Sequence, residues 1–501
     1  MTHRSTHHYR ARHAWLVAAV AMAIGAFPGV ADAHAKLLKS DPASGAHLDS
    51  LPRTVRLWFS EPMQLAVSSI AVAAPGGAML ALGAPRAGVS GVAEIDVDLP
   101  PALAAGAYAV RWRSASRDGH PISGSFSFTI TAAPDAIAAP SAADSIARAA
   151  AAVTTAARAA ADSAVRAQSD GNDEFGISSP AYVVIRWLTY AALLIAIGSA
   201  IFLVAVVGGA RGSGILDAGA AEAVARDARR VGRIAAWALV PIALARLVAQ
   251  SLAMEGSMSL GSAPLSRMLL NTVWGVGWLA QVTMAILLAL VLRRTRVGAA
   301  GIVIAALLAF TQSFSGHAVA MGVLTPLTFV AIGVHVLAAA GWLGALFVMM
   351  VAGVPVAMRM RGGDGARTAS ALVNRFSPWA IAFAAALIVT GAISAWVHLG
   401  SIAALTSSRY GIVLLIKLAV LAVVLLLGMY HERIGRRLIV ERGAVTLRRT
   451  AAIELSFAAL ILAITAVLAV TPPPAEMMRG SRLEDRGAVP GARVAERGMP
   501  R

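Results

Sequence analysis

The sequence predicts a multidomain protein in which an N-terminal all-β sandwich with Greek-key-like connections precedes an α-helical membrane bundle of eight spans. Two patterns and the composition predict this fold class. Between residues 34 and 130 apolar residues alternate with polar ones, which is typical of short strands with one wet face. After Pro180 the chain contains eight apolar runs of roughly 20 residues, the length needed to cross a bilayer. The 501 residues are 58% hydrophobic and only 14% charged, so much of the chain must lie in lipid.

The net charge and the lack of cysteine limit which partners and which metal sites the protein can have. The net charge of +17 would suggest nucleic acid in a soluble protein, but the arginines cluster between apolar runs. Membrane topology therefore explains the excess, and we expect no nucleic-acid partner. The absence of cysteine excludes disulfides, iron–sulfur clusters and thiolate metal sites, so a bound metal must use His, Met, carboxylate or backbone ligands.

The first 33 residues have the pattern of a secretory signal peptide. A basic start is followed by a short apolar run at 14–27 and by Ala31-Asp32-Ala33, a small-x-small cleavage motif. Cleavage after Ala33 would make His34 the mature N-terminus, where its amine and ring nitrogen chelate one metal ion. The alternative is an uncleaved anchor, in which His34 is an ordinary residue.

Residues 34–131 predict the β-sandwich. Their alternating runs are Val55–Phe59, Glu94–Leu99 and Ser125–Ile130. Asp118-Gly119-His120 precedes the final strand, and residues two apart in an extended segment project to one side. Together with the His34 chelate they supply three nitrogens and one oxygen, a set that suits Cu(II). Alone, Asp-x-His is equally typical of a turn or a solvated strand end.

Several motifs of this domain occur together in one known family. They are His34-Ala35-x-Leu37, Ser40-x-Pro42, Leu57-Trp58-Phe59-Ser60-Glu61 and Ser116-x-Asp118-Gly119-His120-Pro121-x-Ser123-Gly124-Ser125-Phe126. In these residues the domain resembles the CopC-type periplasmic copper-binding domain. The resemblance implies a Cu(II) site formed by His34, Asp118 and His120. Some members also carry a Met-rich Cu(I) site, which we do not expect here, because only Met63 and Met79 are present and Trp58 replaces a histidine.

An alanine-rich linker at 132–179 lacks the bulky residues of a core, although 141–168 could form a lone helix. The eight predicted spans follow within 180–475, and 476–501 form a disordered tail. The spans are 182–208, 231–253, 269–292, 298–315, 324–353, 379–399, 410–430 and 451–471.

Arginine distribution predicts the orientation of the bundle. The loops after spans 1, 3, 5 and 7 are rich in arginine, whereas the alternate loops carry Arg267 and Arg409. By the positive-inside rule the first set is cytoplasmic and the β domain lies outside, in agreement with the signal peptide. We therefore expect a multi-pass protein of the inner (cytoplasmic) membrane with a periplasmic N-terminal domain. The basic loop residues are Arg211, Arg226, Arg229, Arg230, Arg233, Arg293, Arg294, Arg296, Arg359, Arg361, Arg367, Arg375, Arg433, Arg436, Arg437, Arg442, Arg448 and Arg449.

Histidines and methionines in the spans are candidate copper ligands, because imidazole and thioether bind copper without cysteine. His335 lies near the middle of span 5, and His317 and Met321 lie at the outer end of span 4. The remaining candidates at the outer side are His398, Met254, Met258 and Met268. The structural alternative is that each histidine hydrogen-bonds to a neighbouring helix and each methionine fills a gap.

Other charged residues in the spans oppose a cation path. Arg186, Arg246 and Lys417 lie in the outer parts of spans 1, 2 and 7, where they would repel copper. They either snorkel and pair locally or hold an anionic ligand such as haem propionates. Glu454 near the inner end of span 8 either receives cations leaving inward or caps the helix.

The bundle also carries motifs of a known family. They are Ser315-Gly316-His317-Ala318, His335-x-x-Ala338-x-x-x-Trp342-x-Gly344, Arg375-Phe376-Ser377, Thr390-Gly391, Tyr410-Gly411-x-x-Leu414-x-x-Lys417, Glu454 and Pro472-Pro473-Pro474. In these residues it resembles the CopD-type copper-resistance membrane domain. The resemblance implies movement of copper across the inner membrane, generally inward, with the sandwich capturing periplasmic copper.

The sequence thus predicts a non-enzymatic copper-handling membrane protein, in which copper is bound by the sandwich and enters by His317, Met321 and His335. Its expected partners are copper, the bilayer and periplasmic copper chaperones. No nucleotide-binding motif indicates an ATP-driven step. Three alternatives stay open: a b-type haem electron carrier, an oxidative copper enzyme, and a copper-sequestering or sensing protein without net transport.

Overall fold

The structure is a computed structural model that describes residues 37–89, 91–116, 121–131, 179–255, 262–315, 324–360, 364–430, 444–471 and 473–475. The signal peptide, the linker before Ser179 and the C-terminal tail lie outside these residues. The described residues belong to two compact units, one of strands and one of helices.

The first unit is a sandwich of two four-stranded sheets, as the sequence predicts. One sheet has the order β1-β3-β6-β5 and the other β2-β8-β7-β4, so the chain crosses between sheets as in a Greek key. All pairs are antiparallel except β2 with β8. The strands are β1 Leu37–Asp41, β2 His47–Leu48, β3 Thr54–Phe59, β4 Ser69–Ala73, β5 Arg86–Gly88, β6 Gly91–Asp98, β7 Gly106–Ala115 and β8 Pro121–Ile130, with a 3-10 turn at Leu65–Val67.

The core of the sandwich follows the predicted alternation. Val55, Leu57 and Phe59 of β3 are buried, whereas Arg56 between them is exposed. Across the core, the Phe59 ring meets Trp112 of β7 edge-on with centroids 5.1 Å apart. The inward residues of both sheets therefore form one apolar layer.

Strand β6 departs from the predicted pattern of a wet outer face. Its carboxylates Glu94 and Asp96 are only 4% and 8% exposed, whereas Asp98 is exposed. The cause is the neighbouring strand β5, where Gly88 lacks a side chain and leaves the space that the Glu94 side chain occupies. Burial, and next the charge of Glu94, raises the pKa of the Asp96 carboxyl.

The second unit consists of helices. The helices are α1 Pro180–Gly212, α2 Ala218–Glu255, α3 Ser262–Asn271, α4 Val273–Val291, α5 Gly298–Phe310 with a 3-10 turn at Thr311–Phe314, α6 Thr325–Arg359, α7 Asp364–Leu399, α8 Ala404–Ser407, α9 Arg409–Tyr430 and α10 Ala444–Leu468. Helix α1 contains a π-helical segment at Phe202–Gly208, and α6 contains two, at Ala340–Gly344 and Met349–Gly353.

Each of the eight predicted spans coincides with a helix. Seven helices among the described residues are long and apolar enough to cross a membrane, and Gly298–Phe314 is a shorter apolar helix in the place of the fourth span. Helix α2 is 38 residues long, about 57 Å, so it extends beyond the roughly 30 Å of a bilayer core. Arg226 and Arg233, predicted in a loop, therefore lie in α2, because the helix continues past its apolar part.

Polar caps determine where the helices begin. The Ser179 hydroxyl accepts a hydrogen bond from the Tyr182 amide, and Pro180 occupies the first turn of α1. Asp217 caps α2 in the same way through the Ala220 amide, and these backbone hydrogen bonds lower the pKa of its carboxyl. Helices α1 and α6 pack closely, because a Cβ at Gly344 would collide with the Leu194 carbonyl.

Candidate metal centre

The described residues contain no group of three or more His, Cys, Asp or Glu that could hold a metal ion. Of the predicted copper ligands, five lie outside the described residues and His335 lies within them. The five are His34, Asp118, His120, His317 and Met321. The structure therefore gives the surroundings of the predicted sandwich site and the geometry of one site in the bundle.

The chain segments that flank the predicted sandwich site lie at one end of the sandwich. Leu37 at the start of β1 pairs with Phe59 at the end of β3. The chain following β3 then reaches the end of β7, where Met63 forms a bridge with Ser116. The Gln64 side chain also donates a hydrogen bond to the Ser116 carbonyl at 2.7 Å. Leu37 follows His34 by three positions and Ser116 precedes Asp118 by two, so the described residues nearest to both candidate segments in the chain lie at this end.

The methionines of the sandwich do not form a second copper site among the described residues. Met63 is buried in the core, whereas Met79 is exposed and pairs with Ala73. Trp58 lies on the outer face of its sheet beneath the Lys39 ammonium group, 4.9 Å from the ring centroid.

His335 of α6 forms a defined contact with the neighbouring helix α7. Its Nδ1 lies 2.9 Å from the Thr390 hydroxyl. The same hydroxyl also lies 2.7 Å from the Ala386 carbonyl, one turn earlier in α7. The imidazole rests against α7 where Gly391 leaves room, since a Cβ there would lie 3.7 Å from the ring Cε1.

These contacts determine the tautomer of His335. A carbonyl accepts hydrogen bonds only, so the Thr390 hydroxyl must donate its proton to Ala386. Thr390 then accepts from His335, and Nδ1 carries the ring proton. In the neutral ring the lone pair is consequently on Nε2, which has no hydrogen-bond partner among the described residues. In metal sites, a histidine that binds the metal through one ring nitrogen is held in place by a hydrogen-bond acceptor at the other nitrogen.

Lys417 of α9 approaches the same imidazole, close enough for their charges to interact. The His335 site is therefore framed by three helices, with the ring on α6, its hydrogen-bond acceptor on α7 and a cationic side chain on α9. An ammonium group in this position opposes a metal cation at Nε2. The sequence indicated His335 and Lys417 but not the role of Thr390, because spacing alone does not show which helix faces which.

His398, the other described histidine of the bundle, is bonded within its own helix. Its Nδ1 donates to the Ser394 carbonyl at 2.6 Å, and its ring stacks on Tyr410 with centroids 6.1 Å apart. His398 lies eight residues after Thr390 in α7, about 12 Å further along the helix axis. His335 and His398 therefore lie at different depths.

The other described candidate residues of the bundle lie on helices that do not carry His335, Thr390 or Lys417. Met268 of α3 is buried, and Met254 and Met258 have no described side chain. Glu454 of α10 is also buried and makes further contacts. Arg186 of α1 and Arg246 of α2 are both buried among aromatic rings.

Comparison with known families accounts for most of the described chain. The CopC domain family matches residues 37–131, the N-terminal domain of the copper resistance protein D-like family matches 177–327, and the copper resistance protein D family matches 370–468. Copper resistance protein C of Pseudomonas syringae pv. tomato is 37% identical over 106 residues, which cover 20% of this chain and 83% of the relative. The chain belongs to the CopC–CopD copper-resistance family.

A second relative matches most of the length of the chain. Copper transport protein CutJ of Bacillus subtilis (strain 168) is 25% identical over 469 residues, which cover 90% of this chain and 76% of the relative. Among solved structures, CopC from Methylosinus trichosporium OB3b covers 21% of this chain and all of its own, with 28% identity and a TM-score of 0.20. PcoC from Escherichia coli covers 20% with 27% identity and a TM-score of 0.18. The CopC–CopD protein is thus a copper-related, multi-pass membrane protein.

Proposed function

We propose that this CopC–CopD protein captures Cu(II) outside the cytoplasmic membrane and passes copper inward through its helical bundle. The sandwich ligands are His34, exposed by cleavage after Ala33, together with Asp118 and His120. In the bundle copper passes His317, Met321 and His335. The names of the copper-resistance and copper-transport relatives support this proposal.

One observation carries the transport step: His335 keeps the Nε2 lone pair available while Thr390 holds Nδ1. Imidazole nitrogen is a good copper ligand, and its orientation by a neighbouring hydroxyl limits the reorganisation needed to bind. A neutral ligand in the interior of the bundle lets a cation pause without the strong trapping that a carboxylate would cause. Nearby Lys417 adds repulsion that favours release.

Arginine distribution supports the orientation that capture outside the membrane requires. The arginine-rich helix ends and loops belong on the cytoplasmic side, which leaves the sandwich in the periplasm. Chain between the sandwich and α1 keeps captured copper at a high local concentration near the bundle. Periplasmic copper chaperones are the proposed source of the metal.

The test compares copper accumulation in cells that express the wild-type protein, His335→Leu or the control His47→Leu, whose histidine is exposed on β2. We expect His335→Leu to reduce accumulation to the level of cells without the protein, and His47→Leu to behave as wild type. The purified full-length His335→Leu protein should still show the Cu(II) EPR signal of the sandwich. Unchanged accumulation in His335→Leu would contradict transport and favour sequestration.

Intact-mass measurement of the purified chain tests the sandwich site separately. We expect the mass of a chain that begins at His34 and one tightly held Cu(II) in the wild type. His120→Ala should weaken Cu(II) binding by at least about 100-fold, since even outer-shell changes cost 10- to 100-fold. A retained leader together with unchanged Cu(II) affinity in His120→Ala would exclude the proposed chelate.

The geometry disfavours a haem carrier built on the described histidines. Two haem ligands must face each other across one iron, whereas His335 and His398 differ in depth by about 12 Å. We expect the purified protein to show no Soret band. A stoichiometric Soret band lost in His335→Leu would instead establish the haem function.

A further inference from the structure

Two buried arginines form a second polar site in the bundle, on helices other than those that carry His335, Thr390 and Lys417. Arg186 of α1 and Arg246 of α2 are each only 8% exposed. One buried nitrogen of each guanidinium, Nη1 of Arg186 and Nε of Arg246, has no hydrogen-bond partner. Neither arginine forms an ion pair with an acidic residue among the part of the chain that the structure describes.

The two arginines lie at the same depth. Helices α1 and α2 pack against each other and are antiparallel, because only residues 213–217 connect them. Tyr182 of α1 donates a hydrogen bond to Gln250 of α2 at 2.6 Å, which fixes the register. Arg186 follows Tyr182 by four residues and Arg246 precedes Gln250 by four. Both arginines therefore lie one helical turn, about 6 Å, on the same side of that hydrogen bond.

Aromatic rings hold both guanidinium groups in place. The Arg186 guanidinium lies over the Tyr182 ring, 4.5 Å from its centroid, and that of Arg246 lies 5.6 Å from the Trp274 ring of α4. A guanidinium group that stacks on an aromatic ring keeps its N–H edges for hydrogen bonding. The rings thus limit where the two guanidinium groups can lie before a ligand arrives.

Each guanidinium is a buried charge without an acidic partner among the described residues, and each contains a buried donor that is not satisfied. An arginine remains charged in proteins, so it cannot relieve this by losing a proton. A single anion between the two groups would satisfy both the charge and the donors. Guanidinium edges match the oxygen atoms of a phosphate group in a bidentate geometry.

The position along the helices favours a phosphate group at the membrane surface. Arg186 lies six residues after the first residue of α1, about 9 Å along its axis, and Tyr182 and Trp274 are residue types of the interfacial belt. Basic pockets between transmembrane helices bind anionic lipid head groups on the cytoplasmic side of membranes, and the same chemistry applies to a pocket at the outer side. Free phosphate offers the same oxygen atoms without the lipid tails.

We propose that Arg186 and Arg246 together bind one phosphate group at the Pro180 end of the bundle, between α1, α2 and α4. This site shares no residue with the proposed copper path, and nothing in it depends on copper. The Tyr182–Gln250 hydrogen bond positions the two arginines, and the Trp274 ring closes one side.

The test uses the full-length protein, purified in detergent, stripped of lipid and free of copper. Native mass spectrometry measures binding of phosphatidylglycerol and of phosphatidylcholine with the same acyl chains, and thermal unfolding measures the effect of inorganic phosphate. The variant is Arg186→Gln with Arg246→Gln. The charge-matched control is Arg226→Gln with Arg359→Gln, whose side chains are 72% and 74% exposed.

We expect the wild type and the control to bind one phosphatidylglycerol, or to unfold at a higher temperature with phosphate, and the Arg186/Arg246 double variant to bind at least ten-fold more weakly. Phosphatidylglycerol binding without a phosphate effect assigns the site to a lipid head group, and a phosphate effect alone assigns it to the free ion. If the double variant does not fold, Arg186→Lys with Arg246→Lys keeps the charge and should weaken binding measurably. Equal binding by the wild type and the folded arginine variant, or no binding of either ligand by the wild type, overturns the proposal.

Discussion

The His335 site and the arginine pair belong to the same bundle. Both contain side-chain nitrogen atoms without a hydrogen-bond partner among the described residues, but one is an acceptor and the others are donors. At His335 a neighbouring threonine consumes the N–H, so that a lone pair remains. At Arg186 and Arg246 the rings cover the faces, so that N–H donors remain. The first site is suited to a metal cation and the second to an anion, and in each the neighbouring side chain determines which.

The two sites also use different helices. Helices α6, α7 and α9 provide His335, Thr390 and Lys417, whereas α1, α2 and α4 provide the arginines and their aromatic partners. Helix α1 packs against α6, so the positive charge of Arg186 is held on a helix next to the one that carries His335. An anion bound by the arginines would offset this charge.

The largest expected effect in this comparison concerns Thr390, whose hydroxyl determines which nitrogen of His335 keeps the lone pair. Thr390→Val removes the hydroxyl that accepts the Nδ1 proton, so the ring is free to choose the other tautomer. We expect copper transport to fall about ten-fold, in the range typical of outer-shell changes. Thr390→Ser keeps the hydroxyl and should restore most of the activity. Transport that is equal in Thr390→Val and in the wild type would show that the tautomer is irrelevant.

Lys417 should have a smaller and opposite effect. Lys417→Gln removes a positive charge near the imidazole while it keeps a polar side chain of similar length. We expect the affinity for copper in the bundle to rise roughly two- to five-fold, the range of a weak charge interaction. Lys417→Arg keeps the charge and serves as the control. Copper titration of the full-length protein with the sandwich ligand His120 replaced isolates the bundle site, and a decrease in affinity would contradict the repulsion.

The smallest expected effect concerns a buried carboxylate oxygen in the sandwich that has no hydrogen-bond partner among the described residues. Asp96 is buried, and its Oδ1 has no hydrogen-bond partner, whereas Asp98 on the same strand pairs with Arg86 at 2.6 Å. The pKa of Asp96 is raised by burial, so its charged form destabilises the fold at neutral pH, and wild-type stability falls as the pH rises through this raised pKa. We expect Asp96→Asn to raise the unfolding temperature at pH 7 by roughly 2 to 4 °C.

The matched variant Asp98→Asn should give no such rise, because it removes an exposed ion pair with the Arg86 guanidinium. Asp96→Asn should also lose the fall in stability that the wild-type carboxyl causes as the pH rises above the ordinary pKa of an aspartate. The measurement is thermal unfolding of the full-length protein from acidic to neutral pH. An unchanged or lower unfolding temperature in Asp96→Asn at pH 7 would mean that its carboxylate is satisfied in the folded protein.

The pattern of apolar residues was sufficient to predict the fold. Alternation is typical of a strand with one buried face, and a long apolar run is typical of a membrane helix. Alternation in β3 predicted which side chains enter the core, and the long apolar runs predicted the helices. The same patterning did not predict the burial of Glu94, which depends on the missing side chain of Gly88 on an adjacent strand, or that of Asp96. It also placed arginines of α2 in a loop, because hydropathy marks the apolar part of a helix and not its end.

Sequence reasoning identified His335, Arg186 and Arg246 because ionisable residues in apolar spans are costly and therefore conspicuous. It could not identify the contact between Thr390 and His335 or the hydrogen bond between Tyr182 and Gln250. Both contacts join helices that are far apart in the chain. The proposed sandwich ligands remain a prediction from motif and resemblance, since His34, Asp118 and His120 lie outside the described residues.

The most direct measurement is copper flux into liposomes that contain the purified full-length protein, with the wild type compared with His335→Leu at equal Cu(II) occupancy of the sandwich. We expect the wild type to move copper into the lumen and His335→Leu to match protein-free liposomes, because the bundle then lacks the Nε2 lone pair. Equal flux through both proteins would contradict a copper path through His335.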